Sequence, residues 1–271
     1  MAESPAFRRQ RAVRSPLRRV FRHPIDVVPA ALITAVSAAQ IAIFLGISAP
    51  LHVLACTALL FPLQVNFAGM CHNHHHIRTF RQPILNRVFE VMMFFQLGML
   101  PYVYTLHHNL GHHRHYLDQQ RDSNRWRRRD GGTMGSWEFA WVLAVNIYPV
   151  ACRIGRDHPI VFRRFRRMAG VCAIVLACLI IASPVNALLV FALPLPLALV
   201  LQAQATHYHH AGLDARDHWH ASRSATARLY NLRTFNLGYH TAHHLRPMLH
   251  WSKLPAFHAT IAHAIPRDLV I

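Results

Sequence analysis

The sequence predicts an all-α integral membrane fold: four transmembrane helices in two hairpins, with a cytoplasmic helical cap that gathers histidines. Three observations carry that expectation. No Asp, Glu, Lys or Arg occurs between Val27 and Met70, or between Met168 and Ala205, although 40 such residues lie elsewhere in the 271-residue chain. Each of these stretches is long enough to cross a bilayer twice, at 1.5 Å per helical residue against a hydrocarbon core of roughly 30 Å. Finally, 23 histidines are present, and most fall into four clusters, expected at the cytoplasmic ends of helices or just beyond them. A net charge of +18 would suit a nucleic-acid binder, but charge segregated this completely belongs to a membrane protein.

Residues 1–26 read as an Arg-rich cytoplasmic arm and residues 27–271 as one membrane domain. The arm carries seven arginines between Arg8 and Arg22. It does not read as a cleaved signal, because the apolar run that follows starts late, is too long and leads straight into a second span. The first hairpin has spans near 27–47 and 51–70, broken at Gly46-Ile47-Ser48-Ala49-Pro50. Pro83–Tyr104 and Ser136–Cys152 are apolar but interrupted by Arg87, Glu90 and Glu138, so they are expected as amphipathic helices in the cytoplasmic interface. The second hairpin has spans near 168–182 and 187–205, broken at Ser183-Pro184-Val185-Asn186 and kinked by Pro194 and Pro196. Neither turn contains Lys or Arg, whereas arginine crowds residues 8–22, 121–129 and 153–167. The positive-inside rule then places both termini and the middle of the chain in the cytoplasm. The five cysteines fall in spans or on that reducing side, and no disulfide is expected.

The histidine clusters are residues 72–76, 107–115, 207–210 and 240–244. His72 and His76 are spaced i, i+4, so on a helix they share a face. His108, His112 and His113 repeat that pair with one residue more, and His240, His243 and His244 follow i, i+3, i+4. Neutral imidazole is the commonest metal ligand. Nine imidazoles exceed what one ion holds and suit two ions that keep an open position. His74, His75, His107, His115, His207 and His209 stand beside these candidates as supporting or exposed residues. His23, His158, His218, His220, His250, His258 and His263 read as surface histidines. Neither a His-Glu-x-x-His zinc helix, nor a Glu-x-x-His pair, nor a Cys-x-x-Cys pair is present.

The order His-x-x-x-His, His-x-x-x-His-His, a lone His after the last span, then His-x-x-His-His resembles the membrane fatty acid desaturase and hydroxylase superfamily. The stretch Asn236-x-Gly-Tyr-His-Thr-Ala-His-His-x-x-Pro247-x-x-x-Trp251-x-x-Leu254-Pro255 is especially similar to that family's third histidine box and tail. The likeness runs from about Val27 to Pro255 and is strongest to bacterial acyl desaturases, which implies a bacterial inner membrane. It also implies two iron ions with O₂ as co-substrate. The iron ligands it implies are His72, His76, His108, His112, His113, His240, His243 and His244, with His210 as the ninth and His209 as the other candidate. His74 or His75 could replace a partner in the first box. Asn236 is either a partner behind the metal site or a cap residue before His240.

The function expected from this resemblance is oxygen-dependent desaturation of an acyl chain in the membrane. Hydroxylation of a fatty acid or alkane, or a carotenoid-type oxygenation, is the alternative within the superfamily. Cleaving an unactivated C–H bond is beyond any side chain and needs a redox metal with O₂. No donor domain is fused to the chain, which implies an external ferredoxin, rubredoxin or cytochrome b5-like partner. Arg121, Arg125 and Arg127–Arg129, with the arginines of 163–167, form a basic face for such a donor or for anionic lipid. A metal transporter, the reading from a different class, would need polar groups along a path through the bilayer. The spans offer only Gln40, Gln64, Asn66 and Gln202, with His52 near the outer turn.

Overall fold

The computed structural model describes residues 16–213 and 215–271; the arginines of the N-terminal arm before Pro16 lie outside the described residues. The fold is all-helical, and among the described residues only isolated β-bridges occur. In chain order the helices are α1 (Pro16–Val20), α2 (Val27–Gly46), α3 (Pro50–Asn66), α4 (Ala68–His76) and α5 (Pro83–Leu97). A π-helix (Tyr104–His112) follows, then α6 (Ser136–Asp157), α7 (Pro159–Ala182), α8 (Pro184–Ala187) and α9 (Pro194–His210). The cap closes with α10 (Arg228–Thr234), α11 (His240–Leu245) and α12 (Leu254–Ile261). Proline occupies the first position of α3, α5, α7 and α8, where its missing N–H has no helical partner to lose.

Among the described residues, four helical segments are long and apolar enough to cross a membrane: Pro24–Gly46, Pro50–His76, Pro159–Ala182 and Pro184–His210. The second and fourth contain 27 residues each, about 40 Å of helix against a core of roughly 30 Å. The excess of about two turns carries His72, His76, His209 and His210 beyond the apolar layer. Both apolar stretches break where the turn residues require. Asn186 ties the two breaks together, its side-chain amide donating to the carbonyls of Phe44 (2.9 Å) and Ile47 (2.8 Å).

The fold departs from the sequence expectation in several places. α7 starts at Pro159, not near Met168, because arginine is a good helix former and Arg163, Arg164, Arg166 and Arg167 ride on the helix's early turns. The segment 83–104 is not one helix: α5 stops at Leu97, where Gly98 takes a left-handed conformation (φ 72°). A side chain there would also collide with the Leu195 carbonyl. Glu90 does not face the interface. It is buried (1% exposed) and ion-paired with Arg78 and Arg87, while His74 Nε2 lies 3.5 Å away. Finally, the last apolar stretch runs through α8 and a π-turn (Leu188–Ala192) into α9.

α6 lies along α9, and the π-helix packs against both α4 and α6. Gly69 lets α4 approach the end of α10, since a Cβ there would sit 2.2 Å from the Thr234 carbonyl oxygen. The C-terminal segment is locked to the start of α2. His250 Nε2 lies 3.0 Å from Asp26 Oδ1, and the Trp251 indole N–H donates to the same oxygen at 2.8 Å. His250, expected at the surface, is therefore buried, and so is His258, whose ring lies against Tyr239.

Candidate metal centre

Each histidine cluster arrives on a different element. α4 brings His72 and His76, the π-helix brings His108 and His112 with His113 at its end, α9 brings His210, and α11 brings His240, His243 and His244. Their ring nitrogens form two adjacent groups. The first comprises His72, His76, His108, His113 and His243; the second contains His112, His210 and His244, within 4.8 Å of one another in each group. His240 joins the second group, its Nε2 2.8 Å from that of His210 and 3.2 Å from that of His244.

The π-helix decides how the second box divides. Its wide turn closes with the His113 amide donating to the His108 carbonyl at 2.8 Å, an i→i+5 bond. His108 and His113 therefore point into the first group while His112 points into the second. The α-helical i, i+4 spacing expected for His108 and His112 would have put those two together. α11 serves both groups, giving His243 to one and His240 and His244 to the other. The groups touch where the rings of His113 and His244 stack at 4.4 Å.

Hydrogen bonding cannot satisfy these nitrogens. The Nε2 of a neutral imidazole either donates or accepts, never both. Yet His210, His240 and His244 form a triangle of Nε2 contacts at 2.8, 3.1 and 3.2 Å, in which at least one pair must be of like kind. In the first group the contacts His72–His108 (2.9 Å), His108–His113 (3.0 Å) and His113–His243 (3.0 Å) form a chain. The Nε2 atoms of His76 and His112 are buried with no partner. Two imidazoles bound at right angles to one ion, each about 2.1 Å away, stand about 3.0 Å apart. A cation in each group resolves every conflict, so the donor set fits a pair of metal ions.

The surroundings keep the imidazoles neutral and oriented. Burial holds His108, His113, His240, His243 and His244 well below the ordinary imidazole range, and neighbouring histidines add to the effect. His112 Nδ1 lies 2.8 Å from Asp122 Oδ1, and His210 Nδ1 lies 2.9 Å from the Ala221 carbonyl. His72 Nδ1 faces Asn73 Oδ1 at 3.4 Å. Such contacts direct Nε2 toward a metal.

The remaining predicted residues do other things. His74 bonds Thr79 Oγ1 at 2.9 Å and faces Glu90. His75 Nδ1 lies 2.7 Å from the Cys71 carbonyl, and its ring stacks on Tyr104. His209 is occupied by the Arg223 carbonyl and the Tyr230 hydroxyl, and its ring stacks on His240 at 4.1 Å. Asn236, at φ 61°, donates its side-chain amide to the Trp251 carbonyl, which places it in the turn before α11 and away from the imidazole groups. Asp122, Asn73 and Tyr230 are contributors that spacing alone does not reveal. The one signal for Asp122 in the sequence is the scarcity of acids, 11 in the whole chain.

A comparison with curated proteins finds no match. The fatty acid desaturase family model matches residues 48–271, a span that includes every histidine box and both groups of ring nitrogens. A membrane-associated, all-helical chain with a histidine cluster fit for metal, matched over most of its length, belongs to the fatty acid desaturase family.

Proposed function

We propose that this protein is an oxygen-dependent di-iron acyl desaturase that acts on a lipid within the membrane. The observation that carries the reading is the convergence of nine ring nitrogens, most of them buried, into two adjacent groups at the head of four apolar helices. His72, His76, His108, His113 and His243 would hold one iron, and His112, His210, His240 and His244 the other. Bound iron supplies the redox chemistry that side chains lack. Overall, two hydrogens would leave the chain, two electrons would come from an external donor and two protons from solvent, so that O₂ is reduced to two waters.

The protein's own tasks follow from its geometry. Asp122 accepts a hydrogen bond from His112 Nδ1, which leaves Nε2 free to bind metal. Packed apolar side chains of α6 and α9 (Leu143, Ile147 and Leu199) line the approach to His108 and exclude water. A substrate dissolved in the bilayer reaches this approach without leaving the apolar phase. Both hairpin turns would face outward and the histidine cap would face the cytoplasm, where a ferredoxin, rubredoxin or cytochrome b5-like donor could dock on the basic face.

Lipid analysis of cells with and without the protein tests the reading, together with metal analysis of protein purified from iron-supplied cells. The expected result is two irons per chain and an acyl chain that has lost two hydrogens. A gained oxygen would replace desaturation with hydroxylation, and stoichiometric zinc in place of iron would overturn the oxidase assignment.

A further inference from the structure

Tyr116 packs against the second group of imidazoles. Its ring lies on His244 with centres 4.3 Å apart, and the rings of His112 and His210 are 6.1 and 6.4 Å away. Tyr116 is buried, whereas the imidazole that its hydroxyl meets, through Nδ1 of His218, belongs to an exposed residue. The hydroxyl donates in that contact, since a phenol is a better proton donor than a neutral imidazole. A single ring therefore separates a candidate metal ligand from a base at the surface.

Two other tyrosines approach the histidines, and each lacks one half of this arrangement. Tyr104 stacks on His75 and lies 5.4 Å from the His108 ring, but its hydroxyl has no hydrogen-bond partner among the described residues. Tyr230 donates to His209 Nε2 at 3.0 Å, yet His209 stands between it and His240. Only Tyr116 combines direct contact with a candidate ligand and a hydrogen-bonded base, among the described residues.

Burial, with Asp217 nearby, holds the Tyr116 phenol above its usual range, so it does not ionise on its own. Loss of an electron changes that, because an oxidised phenol is a strong acid and gives its proton to the base it touches. A phenol is also easier to oxidise than an imidazole. Iron that has reacted with O₂ while no acyl chain is in place keeps its oxidising power, and the imidazoles around it are then at risk. We infer that Tyr116 is a redox-active residue that gives one electron, by way of His244, to O₂-oxidised iron when no substrate takes up the oxidation. In that step the Tyr116 O–H bond breaks, an N–H bond forms at His218 Nδ1, and the iron is reduced by one electron. The external donor returns the electron to Tyr116, and His218 returns the proton. The inference rests on the di-iron desaturase reading and adds to it an exit for oxidation that substrate does not consume.

Freeze-quench electron paramagnetic resonance of the iron-loaded full chain in detergent tests it. Protein reduced with dithionite and mixed with O₂, with no lipid added, should show a tyrosyl radical. Growth on ring-deuterated tyrosine identifies the signal by changing its hyperfine pattern. Tyr116→Phe keeps a ring against His244 and should lose the signal. His218→Gln should lose it too, since it keeps a hydrogen-bond acceptor at an exposed position and removes the base. Tyr104→Phe and Tyr230→Phe should retain it. After repeated cycles with O₂, peptides carrying residues 240–244 should gain oxygen in Tyr116→Phe more than in wild type, as read by mass spectrometry. A radical that survives Tyr116→Phe would overturn the inference, and so would equal oxidation of those peptides. If Tyr116→Phe loses its iron, His218→Gln decides, and a full signal there overturns the inference. Wild type that binds iron and consumes O₂ without forming the radical would sink the inference alone. A chain that holds no iron, or leaves O₂ untouched, would sink the di-iron reading and the inference with it.

Discussion

His112 Nδ1 lies 2.8 Å from Asp122 Oδ1, with both side chains about 1% exposed. Asp122 also accepts from the Asn124 amide at 2.8 Å, so the carboxylate is itself fixed in place. A metal-binding imidazole held this way is oriented and made more basic, and loss of such a partner costs about 10–100-fold in metal affinity or activity. Asp122→Ala should therefore lower iron retention during dialysis against a chelator by at least about tenfold. Full retention would mean that the pair only closes the loop.

The ninth ring nitrogen is open to a direct test. Sequence spacing does not separate His209 from His210, since both follow the last apolar stretch. The Nε2 of His210 stands 2.8 Å from that of His240, whereas the Nε2 of His209 stands 3.0 Å from the Tyr230 hydroxyl. His210→Ala should lose about half the iron, because four imidazoles define that group. His209→Phe keeps the stack on His240 and should hold the wild-type amount. Equal iron loss in the two variants would show that both nitrogens bind metal.

Much of this arrangement is legible in the amino-acid sequence. The breaks at Ala49-Pro50 and Ser183-Pro184 stand out because charge is absent for so long on either side of them, and the four histidine clusters stand out as spacings. The partition of the clusters does not. It depends on the wide turn of residues 104–112, and no local residue preference announces a π-helix. Asp122 and Glu90 are hidden for a different reason. Each lies near arginines, where a carboxylate ordinarily faces solvent, and only the packed fold turns both inward.

Glu90 carries a stability prediction. Its carboxylate is fully buried, while Arg78 and Arg87 are 24% and 27% exposed. Both guanidiniums also lie over the Tyr102 ring, 5.7 and 4.7 Å from its centre. Tyr102 adopts φ 70°, a left-handed conformation that a residue with a Cβ rarely takes, so the arginine clamp holds a strained turn. Removing one member of a buried pair typically costs about 3–5 kcal/mol. The partial exposure of both arginines puts Glu90→Ala at the lower end, and a melting temperature lowered by several degrees is the expected readout. An unchanged melting temperature would show that water already screens the cluster.

Acid should destabilise the iron-free protein. Burial lowers the imidazoles of His108, His113, His240, His243 and His244, and pushes His107 down to about 3. In the unfolded chain each titrates near 6.5. Below that pH the unfolded state binds more protons than the native state, so stability is full above about 6.5 and is lost as pH falls toward 3. Each group contributes up to about 1.4 kcal/mol per pH unit in that window. Denaturation of the iron-free protein at pH 7.5, 6.5 and 5.5 should show a steep loss between the last two. A flat profile would mean that water reaches the imidazoles.

A shared metal centre also constrains topology. The rings of His76 and His108 are 5.3 Å apart, so the chain between them must cross the membrane an even number of times or not at all. α5 supplies the only long helix in that interval, and its 15 residues span about 22 Å, short of the roughly 30 Å core. No crossing there is the outcome expected. A membrane-impermeant thiol reagent on a cysteine-free background tests this in intact cells. Ala49→Cys and Val185→Cys, both exposed at the two breaks, should label from outside. Val185 is a better site than Asn186, whose buried amide ties the two turns together. Gln120→Cys and His220→Cys, exposed on the histidine cap, should label only after lysis. Labelling at Gln120→Cys but not at His220→Cys in intact cells would put the second histidine box on the opposite face from the third. A metal–imidazole bond reaches only about 2.1 Å, so no ion could then join the two.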